Sequence, residues 1–315
     1  MSSELRFDSL TGEWVNIVGH RQDRPNLPTG ECPFCVGGLE APEAYDTRWF
    51  VNRWPAFEPG DPPDLAGAVD SGRHAVASVG ASEVVLYSPR HVGSLGSLGV
   101  GQIRKVVELW ADRTAALLSR PEIEYVLVFE SRGPEVGATI HHPHGQIYAY
   151  PFVPPAPRRE AEVARASGFD VIADEVAREV ADGRRVVHDG GDWVGYVPFA
   201  SAYPFGMRLA PRARVGRLDQ LDDAGRLGLA EALHDLLGRY DRLWADASDG
   251  AIFPYLMWIH QAPATDDGGY HLHLHLAPPQ RSPGVSRFVA AGEVGSGTFQ
   301  NPVAPEDAAA ALRDA

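Results

Sequence analysis

The feature that most constrains the fold of this chain is a block of elements that occurs twice along its 315 residues. Each copy has, in order, a strand-like segment, a Pro-Arg pair, a long helical pattern, a second strand and a group of histidines. Tyr125 and Tyr255 correspond at a spacing of 130 positions, and His144 and His275 at a spacing of 131. A nearly constant spacing over several elements predicts an internal duplication, in which both copies fold in the same way.

Hydrophobic periodicity predicts the elements around this block. The chain opens with a hairpin pattern, in which the turn DSLTG joins LRF to EWVNIV, and residues 59–73 are typical of an exposed loop. Apolar residues at helical spacing predict helices at about 101–119, 159–181 and 219–246, and a closing helix in APEDAAAALRDA. The segments EYVLVFE, YLMWIH, RRVVH and WVGYVPF have the β-branched and aromatic content of strands.

The overall charge restricts the classes of partner. A formal net charge of -14 and a pI of about 5.3 argue against binding to nucleic-acid polymers or anionic membranes, which attract basic surfaces. An anionic ligand must therefore meet a local basic cluster. No stretch approaches the roughly 20 apolar residues that a membrane-spanning helix needs, and the opening MSSELRFDSL lacks a leader pattern. We expect a cytoplasmic protein.

The two cysteines, Cys32 and Cys35, are three positions apart in ECPFC. This C-x2-C spacing is typical of half of a zinc site, and tetrahedral zinc needs two further ligands, for which His91 and His142 are the candidates. A redox pair or two buried thiols would have the same spacing.

The segment HHPHGQ at 141–146 contains the most specific pattern. In an extended segment His142, His144 and Gln146 alternate, so their side chains point to one face. A neutral imidazole can attack phosphorus and carry a nucleoside monophosphate, which divides one transfer into two steps. The preceding SRGPEVGAT offers Arg132 and glycine N–H groups that could stabilise phosphoryl charge. A surface tract or a metal site without catalysis is the alternative.

A second group of histidines lies in YHLHLHL at 270–276, where His271, His273 and His275 share one face of a predicted strand. With His260 and a carboxylate such as Glu160, these residues could form a four-ligand set for iron or zinc. The alternation with leucine is also that of a half-buried strand whose histidines are simply hydrogen-bonded.

Together these motifs resemble the galactose-1-phosphate uridylyltransferase family, a duplicated branch of the histidine-triad superfamily. The resemblance covers nearly the whole chain and rests on HRQDRP, CPFC, SPRH, HPHGQ, WIHQAP, HLHLH and NPVAPEDAA. It implies an α+β fold with two antiparallel half-barrel sheets flanked by helices, divided at residues 1–155 and 156–315. It also implies a homodimer whose active sites are shared between subunits.

The resemblance further implies roles for individual residues. His144 matches the nucleophile, and Gln146 matches the amide that steadies the phosphoryl oxygens. The first metal site, expected to hold zinc, matches Cys32, Cys35, His91 and His142. The second, expected to hold iron or zinc, matches Glu160, His260, His273 and His275. Arg21, Arg24, Asn52 and Arg287 fall where the family contacts nucleotide or phosphate. The other expected substrate contacts lie in the SRGPEVGAT segment before the motif, and they are Ser131, Arg132, Gly137 and Thr139.

Some positions depart from the family pattern. Ser131 stands where many members have asparagine, and Ala138 stands where some have cysteine. Phe299 or Gln300 occupies the region of a glutamine that contacts the hexose. The base and the hexose are therefore not implied by the motifs.

The predicted function is transfer of UMP from UDP-glucose to galactose 1-phosphate by a ping-pong reaction through His144. An ADP-sugar phosphorylase or a nucleotide hydrolase would use the same nucleophile with another donor or acceptor. A metal-dependent oxygenase would explain the H-x-H pattern but neither HPHGQ nor CPFC. A binding-only member is the remaining alternative.

Overall fold

The computed structural model describes residues 3–23, 31–245, 252–266 and 268–315. The strands within these ranges are β1 Glu4–Asp8, β2 Glu13–Ile17, β3 Arg48–Val51, β4 Ala75–Ala77, β5 Ala81–Leu86, β6 Tyr125–Arg132, β7 His144–Tyr150, β8 Val186–Gly190, β9 Trp193–Tyr196, β10 Met207–Pro211, β11 Tyr255–His260, β12 His273–Ala277, β13 Gln280–Ser282 and β14 Val285–Ser286. The helices are α1 Leu65–Asp70, α2 Val100–Leu118, α3 Pro155–Ser167, α4 Val171–Asp182, α5 Asp223–Leu243, α6 Ala291–Ser296 and α7 Pro305–Asp314. Among the described residues, no helix has the length and apolar character needed to cross a membrane.

A nine-stranded antiparallel sheet organises the molecule, in the order β3-β5-β7-β6-β11-β12-β10-β9-β8. The four strands from the first half of the chain and the five from the second are joined edge to edge, because β6 pairs with β11 from Tyr255↔Arg132 to Ile259↔Val128. The expected α+β fold of antiparallel sheet flanked by helices is confirmed. The edge-to-edge junction between the two halves was not predicted.

The long helices α2 and α5 pack against one face of this sheet and against each other. Their buried residues recur at helical spacing; in α2 they include Ile103, Val106, Val107 and Trp110. Trp110 has no exposed surface. Truncation of such a side chain costs about 3–5 kcal/mol. This face is therefore the main hydrophobic core, and it fixes the strands on which the histidines lie.

The opposite face of the sheet carries the histidine motifs. In β7, Ile147 and Ala149 belong to the core beneath α2 and α5, so the alternating residues His144 and Gln146 point away from it. The same holds in β12, where the leucines are in the core and the histidines face the other way. Both histidine groups consequently share one face.

The structure differs from the predicted elements in two places. Residues 65–70, within the predicted loop, form the short helix α1, whose first turn is capped by the Asp64 side chain. The helical pattern at 159–181 contains two helices. Gly168 ends α3 in the left-handed conformation, and Asp170 accepts from the Ala173 N–H to begin α4. The opening hairpin and the closing helix form as predicted.

Candidate active site and metal centres

The orientation of the His144 ring defines the atom that can react. Its Nδ1 lies 2.8 Å from the carbonyl oxygen of His142, so Nδ1–H donates to that carbonyl and the lone pair is on Nε2. The Phe34 ring packs edge-on against His144 at a centroid distance of 5.1 Å. The imidazole is therefore held in the tautomer in which Nε2 carries the lone pair and could act as a nucleophile.

Gln146 is held by a second amide. The Asn52 side-chain N–H donates to Gln146 Oε1 at 3.4 Å, and Asn52 Oδ1 accepts from the Trp54 backbone N–H at 2.9 Å. Because its oxygen accepts from Asn52, Gln146 presents its amide N–H groups as donors. Such donors suit phosphoryl oxygens.

A cavity of about 170 Å³ opens in front of these groups. Phe34, Phe50 and Val84 form apolar walls, and Phe50 pairs directly with Val84 across β3 and β5. Arg53 and Glu40 form an ion pair of 3.0 Å in the lining. Sequence reasoning missed these wall residues, although the strand alternation around Asn52 carries the signal for Phe50.

The four residues of the first predicted metal set lie close together, next to the start of β7. Ligand atoms of Cys32, Cys35, His91 and His142 lie within 4.8 Å of one another. His142 Nε2 is 2.8 Å from the Ser88 carbonyl, which turns Nδ1 towards Cys35 Sγ at 3.7 Å. Two thiols and two imidazoles are the donors that structural zinc takes, and the Ser88 carbonyl is a typical outer support.

Burial changes the proton affinity of this set. Burial and the neighbouring Cys32 raise the pKa of Cys35. Burial, and then the nearby His91, lower the pKa of His142 against the opposing bond to Ser88. A neutral His142 ring can ligate a metal at Nδ1. The Tyr45 hydroxyl, 3.0 Å from His142 Nε2, is a further support that the sequence did not predict.

The second predicted metal set is also assembled, with ligand atoms of Glu160, His260, His273 and His275 within 4.8 Å of one another. Glu160 comes from α3 and accepts from His260 Nδ1 at 2.8 Å. Burial alone would raise the pKa of Glu160, but bonds from His260 and His273 lower it overall. Burial lowers the pKa of His273 and His275. Three imidazoles and a carboxylate suit iron or zinc.

The geometry corrects one correspondence between the halves. His273 Nδ1 lies 2.8 Å from the carbonyl of His271, which is the bond that His144 makes to His142. The pair Phe129↔Gln146 in β6 and β7 likewise matches Trp258↔His275 in β11 and β12, at a spacing of 129 on both strands. The equivalent of His144 is therefore His273, and the sequence-based pairing of His144 with His275 is wrong by two residues.

Two family models divide the chain between them. Galactose-1-phosphate uridyl transferase, N-terminal domain, matches residues 1–154, and the C-terminal domain of the same name matches residues 158–315. The chain belongs to the galactose-1-phosphate uridyl transferase family.

Individual proteins support this membership. A galactose-1-phosphate uridylyltransferase of Thermotoga maritima is 35% identical over 322 residues, covering 99% of this chain and 98% of that one. A solved uridylyltransferase structure is similar with a TM-score of 0.86 at 30% identity, covering 99% of this chain and 97% of that one. An ADP-glucose phosphorylase from Arabidopsis thaliana, solved with bound ADP-glucose, gives 0.74 at 25% identity, covering 100% and 99%.

Some residues that the family resemblance assigned to substrate lie at the cavity, and others lie beside it. Asn52 and Thr139 line the cavity. Arg21 donates to the Tyr148 hydroxyl at 2.8 Å, two residues beyond Gln146 on the same face of β7. Ser131 lies on the same face of β6 as Phe129, by the alternation of that strand.

In the glycine-rich turn before the HHPHGQ motif, two backbone N–H groups form hydrogen bonds within the turn. Gly137 has φ of 80°, in the left-handed region, and its N–H donates to the Pro134 carbonyl. The Ala138 N–H donates to the Gly133 carbonyl. These two N–H groups are used within the turn, so the structure does not direct them towards a phosphate as the sequence suggested.

Two predicted arginine contacts do not line the cavity. Arg132 forms an ion pair with Asp241 of α5 and lies over the Tyr255 ring. Arg287 pairs with Glu293 and lies against the rings of Tyr203 and Phe299, which also contact each other. Its Nε donates to the Gln300 carbonyl at 3.2 Å, so Arg287, Phe299 and Gln300 form one C-terminal cluster. Arg24 lies outside the described residues.

Proposed function

We propose that this chain moves a uridylyl group from UDP-glucose to galactose 1-phosphate through a covalent intermediate on His144. The observation that supports this is the 2.8 Å bond from Nδ1 of His144 to the carbonyl of His142, at the wall of a cavity. This bond places the lone pair on Nε2, and it can stabilise the positive charge that the ring acquires when Nε2 bonds to phosphorus.

The reaction has two displacement steps. Nε2 attacks the α-phosphorus of UDP-glucose, the bond from phosphorus to the bridging oxygen breaks, and glucose 1-phosphate leaves with that electron pair. A phosphate oxygen of galactose 1-phosphate then attacks the same phosphorus and breaks the P–N bond, which gives UDP-galactose and restores His144. The Gln146 amide donates to a non-bridging oxygen in both steps.

We assign zinc to Cys32, Cys35, His91 and His142, where it would hold the His142 ring and so orient the carbonyl that receives Nδ1–H of His144. The four donors and the Ser88 support fit this ion. We assign iron or zinc to Glu160, His260, His273 and His275, where it would tie α3 to β11 and β12. Neither ion is needed for the displacement chemistry itself.

We further propose a cytoplasmic homodimer with shared active sites, in which residues 1–155 and 156–315 are the two duplicated halves of each subunit. Phe288 and Phe299 are 84% and 47% exposed on the C-terminal segment, outside the His144 cavity of their own chain. A second subunit would cover such apolar side chains. With a net charge of -14, neither a nucleic-acid polymer nor a membrane is an expected partner.

The second candidate is an ADP-sugar phosphorylase. The full-length similarity to the Arabidopsis thaliana ADP-glucose phosphorylase favours it, with a TM-score of 0.74. The covalent step at His144 would be the same, but the donor would be an ADP-sugar and the acceptor inorganic phosphate.

Intact-protein mass spectrometry distinguishes the candidates. The protein is mixed with UDP-glucose, or separately with ADP-glucose, and no acceptor is added. A uridylyl mass that disappears on addition of galactose 1-phosphate supports the proposal, whereas an adenylyl mass discharged by phosphate supports the phosphorylase. Absence of any adduct, together with sequential steady-state kinetics, would reject the covalent mechanism.

A further inference from the structure

The glycine in the nucleophile motif is required by a neighbouring side chain. Gly145 lies between His144 and Gln146 in β7 and faces the core. A Cβ at this position would lie 2.1 Å from the Tyr87 hydroxyl oxygen and 3.1 Å from the Phe129 carbonyl oxygen. Gly145 has no left-handed φ, so its need for glycine comes from this close approach and not from backbone conformation.

The Tyr87 hydroxyl is held in that place by a buried carboxyl group. It donates to one oxygen of Glu130 at 3.0 Å, and the Tyr255 hydroxyl donates to the other oxygen at 2.9 Å. Both tyrosines are fully buried and Glu130 is 5% exposed. The charged groups nearest to this triad are Arg132 and Asp241, which pair with each other. Glu130 thereby joins β6 to the end of β5 and, across the junction of the halves, to β11.

The second half of the chain lacks this arrangement. At the spacing of 129 residues that aligns the histidine strands, Ile259 corresponds to Glu130 and Leu274 corresponds to Gly145. Both are fully buried members of the apolar core. The histidines of β12 therefore lie on an ordinary apolar support, whereas the strand that carries His144 lies beside a buried carboxyl group on β6 that accepts from two tyrosine hydroxyls.

We propose that Glu130, through Tyr87 and Tyr255, is a positioning residue that seats Gly145 and so sets the place of His144 in the cavity. This inference rests on the proposed transfer through His144. A misplacement of about 1 Å in a reacting group can cost about 100-fold in rate. Two directional bonds to a buried carboxyl restrict the strand more closely than apolar contacts would.

The cost of burying this carboxyl supports a role beyond packing. Burial raises the pKa of Glu130 to about 7, against the lowering effect of the bonds from Tyr255 and Tyr87 and of the Arg132 charge. Apolar side chains of similar volume fill such space without a desolvation penalty, as Ile259 does in the other half.

The test measures the rate of uridylyl adduct formation on His144 in single turnovers with UDP-glucose. Gly145→Ala should slow it about 100-fold. Adding Tyr87→Phe to that variant should restore part of the rate, because the oxygen 2.1 Å from the new methyl is removed and the nearest ring carbon is 3.0 Å away. Full recovery is not expected, because the Tyr87 bond to Glu130 is lost as well. Tyr255→Phe should slow adduct formation about tenfold at saturating UDP-glucose without changing the half-saturating concentration, because it removes the hydroxyl that donates to Glu130 and keeps the ring beneath Arg132.

Tyr240→Phe is the matched control, since Tyr240 is fully buried, its ring stacks on Tyr255 at a centroid distance of 6.0 Å, and its hydroxyl donates to the Phe205 carbonyl at 2.7 Å instead of to Glu130. Its adduct rate should equal that of the wild type. Equal rates for Tyr255→Phe and Tyr240→Phe would overturn the positioning role, and so would a double variant no faster than Gly145→Ala. If Gly145→Ala does not fold, the two tyrosine variants decide alone. Absence of an adduct in the wild type would instead reject the proposed function.

Discussion

The strands β7 and β12 contain the same local hydrogen bond but differ in what surrounds it. In each, a histidine donates Nδ1–H to the carbonyl two residues earlier, at 2.8 Å, and has its lone pair on Nε2. In β7 this histidine, His144, lines a cavity. In β12 it is His273, whose Nε2 lies 3.4 Å from a Glu160 oxygen. If the proposed function is correct, the same backbone geometry supplies a nucleophile in β7 and a metal ligand in β12, and the segment that covers each strand accounts for the difference.

The face of the sheet that carries the histidines is covered by different segments in the two halves of the chain. Helices α3 and α4 cover the second half; α3 carries Glu160, and Asp170 at the start of α4 accepts from His271 Nδ1 at 2.9 Å. In the first half, the segment that contains Cys32 and Cys35 takes the corresponding place, and His142 Nδ1 faces both thiols. The candidate metal ligands Cys32, Cys35 and His142 therefore lie where the other half has the Asp170–His271 pair, and the cavity lies beside them.

The largest expected effect is loss of the nucleophile. His144→Ala should lower the transfer rate by about 10⁴-fold or more, because the variant lacks the imidazole that carries the proposed uridylyl intermediate. The fold and the metal content should be unchanged. Rapid-quench assays and metal analysis by mass spectrometry check both points. A His144→Ala variant that still forms an adduct would remove the functional distinction between the two strands.

The matching change in the second half should act on stability. Glu160→Gln removes the carboxylate that accepts from His260 and faces His273. Loss of one partner in a fully buried ionic group costs about 3–5 kcal/mol; because the Glu160 side chain is 34% exposed, the loss should be about 3 kcal/mol, the lower end of that range. Urea denaturation should show this loss, with less metal bound at the second set. The single-turnover adduct rate of the folded variant should remain near that of the wild type. A variant of normal stability that forms no adduct would give the second set a catalytic role.

Sequence patterns predicted much of this comparison, for physical reasons. Strand alternation placed His142, His144 and Gln146 together. Ligand chemistry suggested the candidate metal ligands, and the family resemblance selected the two sets of four. The two-residue error in pairing the halves arose because histidines that alternate along a strand fit either register. The positions of Arg132 and Arg287 could not be predicted, because their partners Asp241 and Glu293 are set by tertiary packing.

The cores beneath the two strands should differ in their response to pH. The folded pKa of Glu130, about 7, is above its ordinary value of 4.5, so its contribution to stability is fully present below about pH 4.5 and is lost as pH rises through 7. Glu130→Gln has no such titration. Between pH 4.5 and 8 the wild type should therefore lose about 3 kcal/mol of unfolding free energy relative to the variant.

Chemical denaturation of both proteins across this range measures the difference. Ile259→Val, at the corresponding position of the second half, is the control, and its stability should run parallel to the wild type at every pH. Parallel curves for Glu130→Gln would show that the carboxyl does not titrate between the folded and unfolded states in this range.

The smallest expected effect concerns the first metal set, which lies beside His144. Cys32→Ser removes one thiol of the first set, so it should lower bound zinc and loosen His142, whose carbonyl receives Nδ1–H of His144. Loss of an outer support of this kind costs about 10- to 100-fold in activity. The loss should appear in the rate of adduct formation more than in KM, because His142 acts through the nucleophile. Asp170→Asn, which alters the corresponding pair in the second half, should leave that rate unchanged. A zinc-free protein with full activity would mean that the first metal set, like the Asp170–His271 pair, contributes to the fold alone.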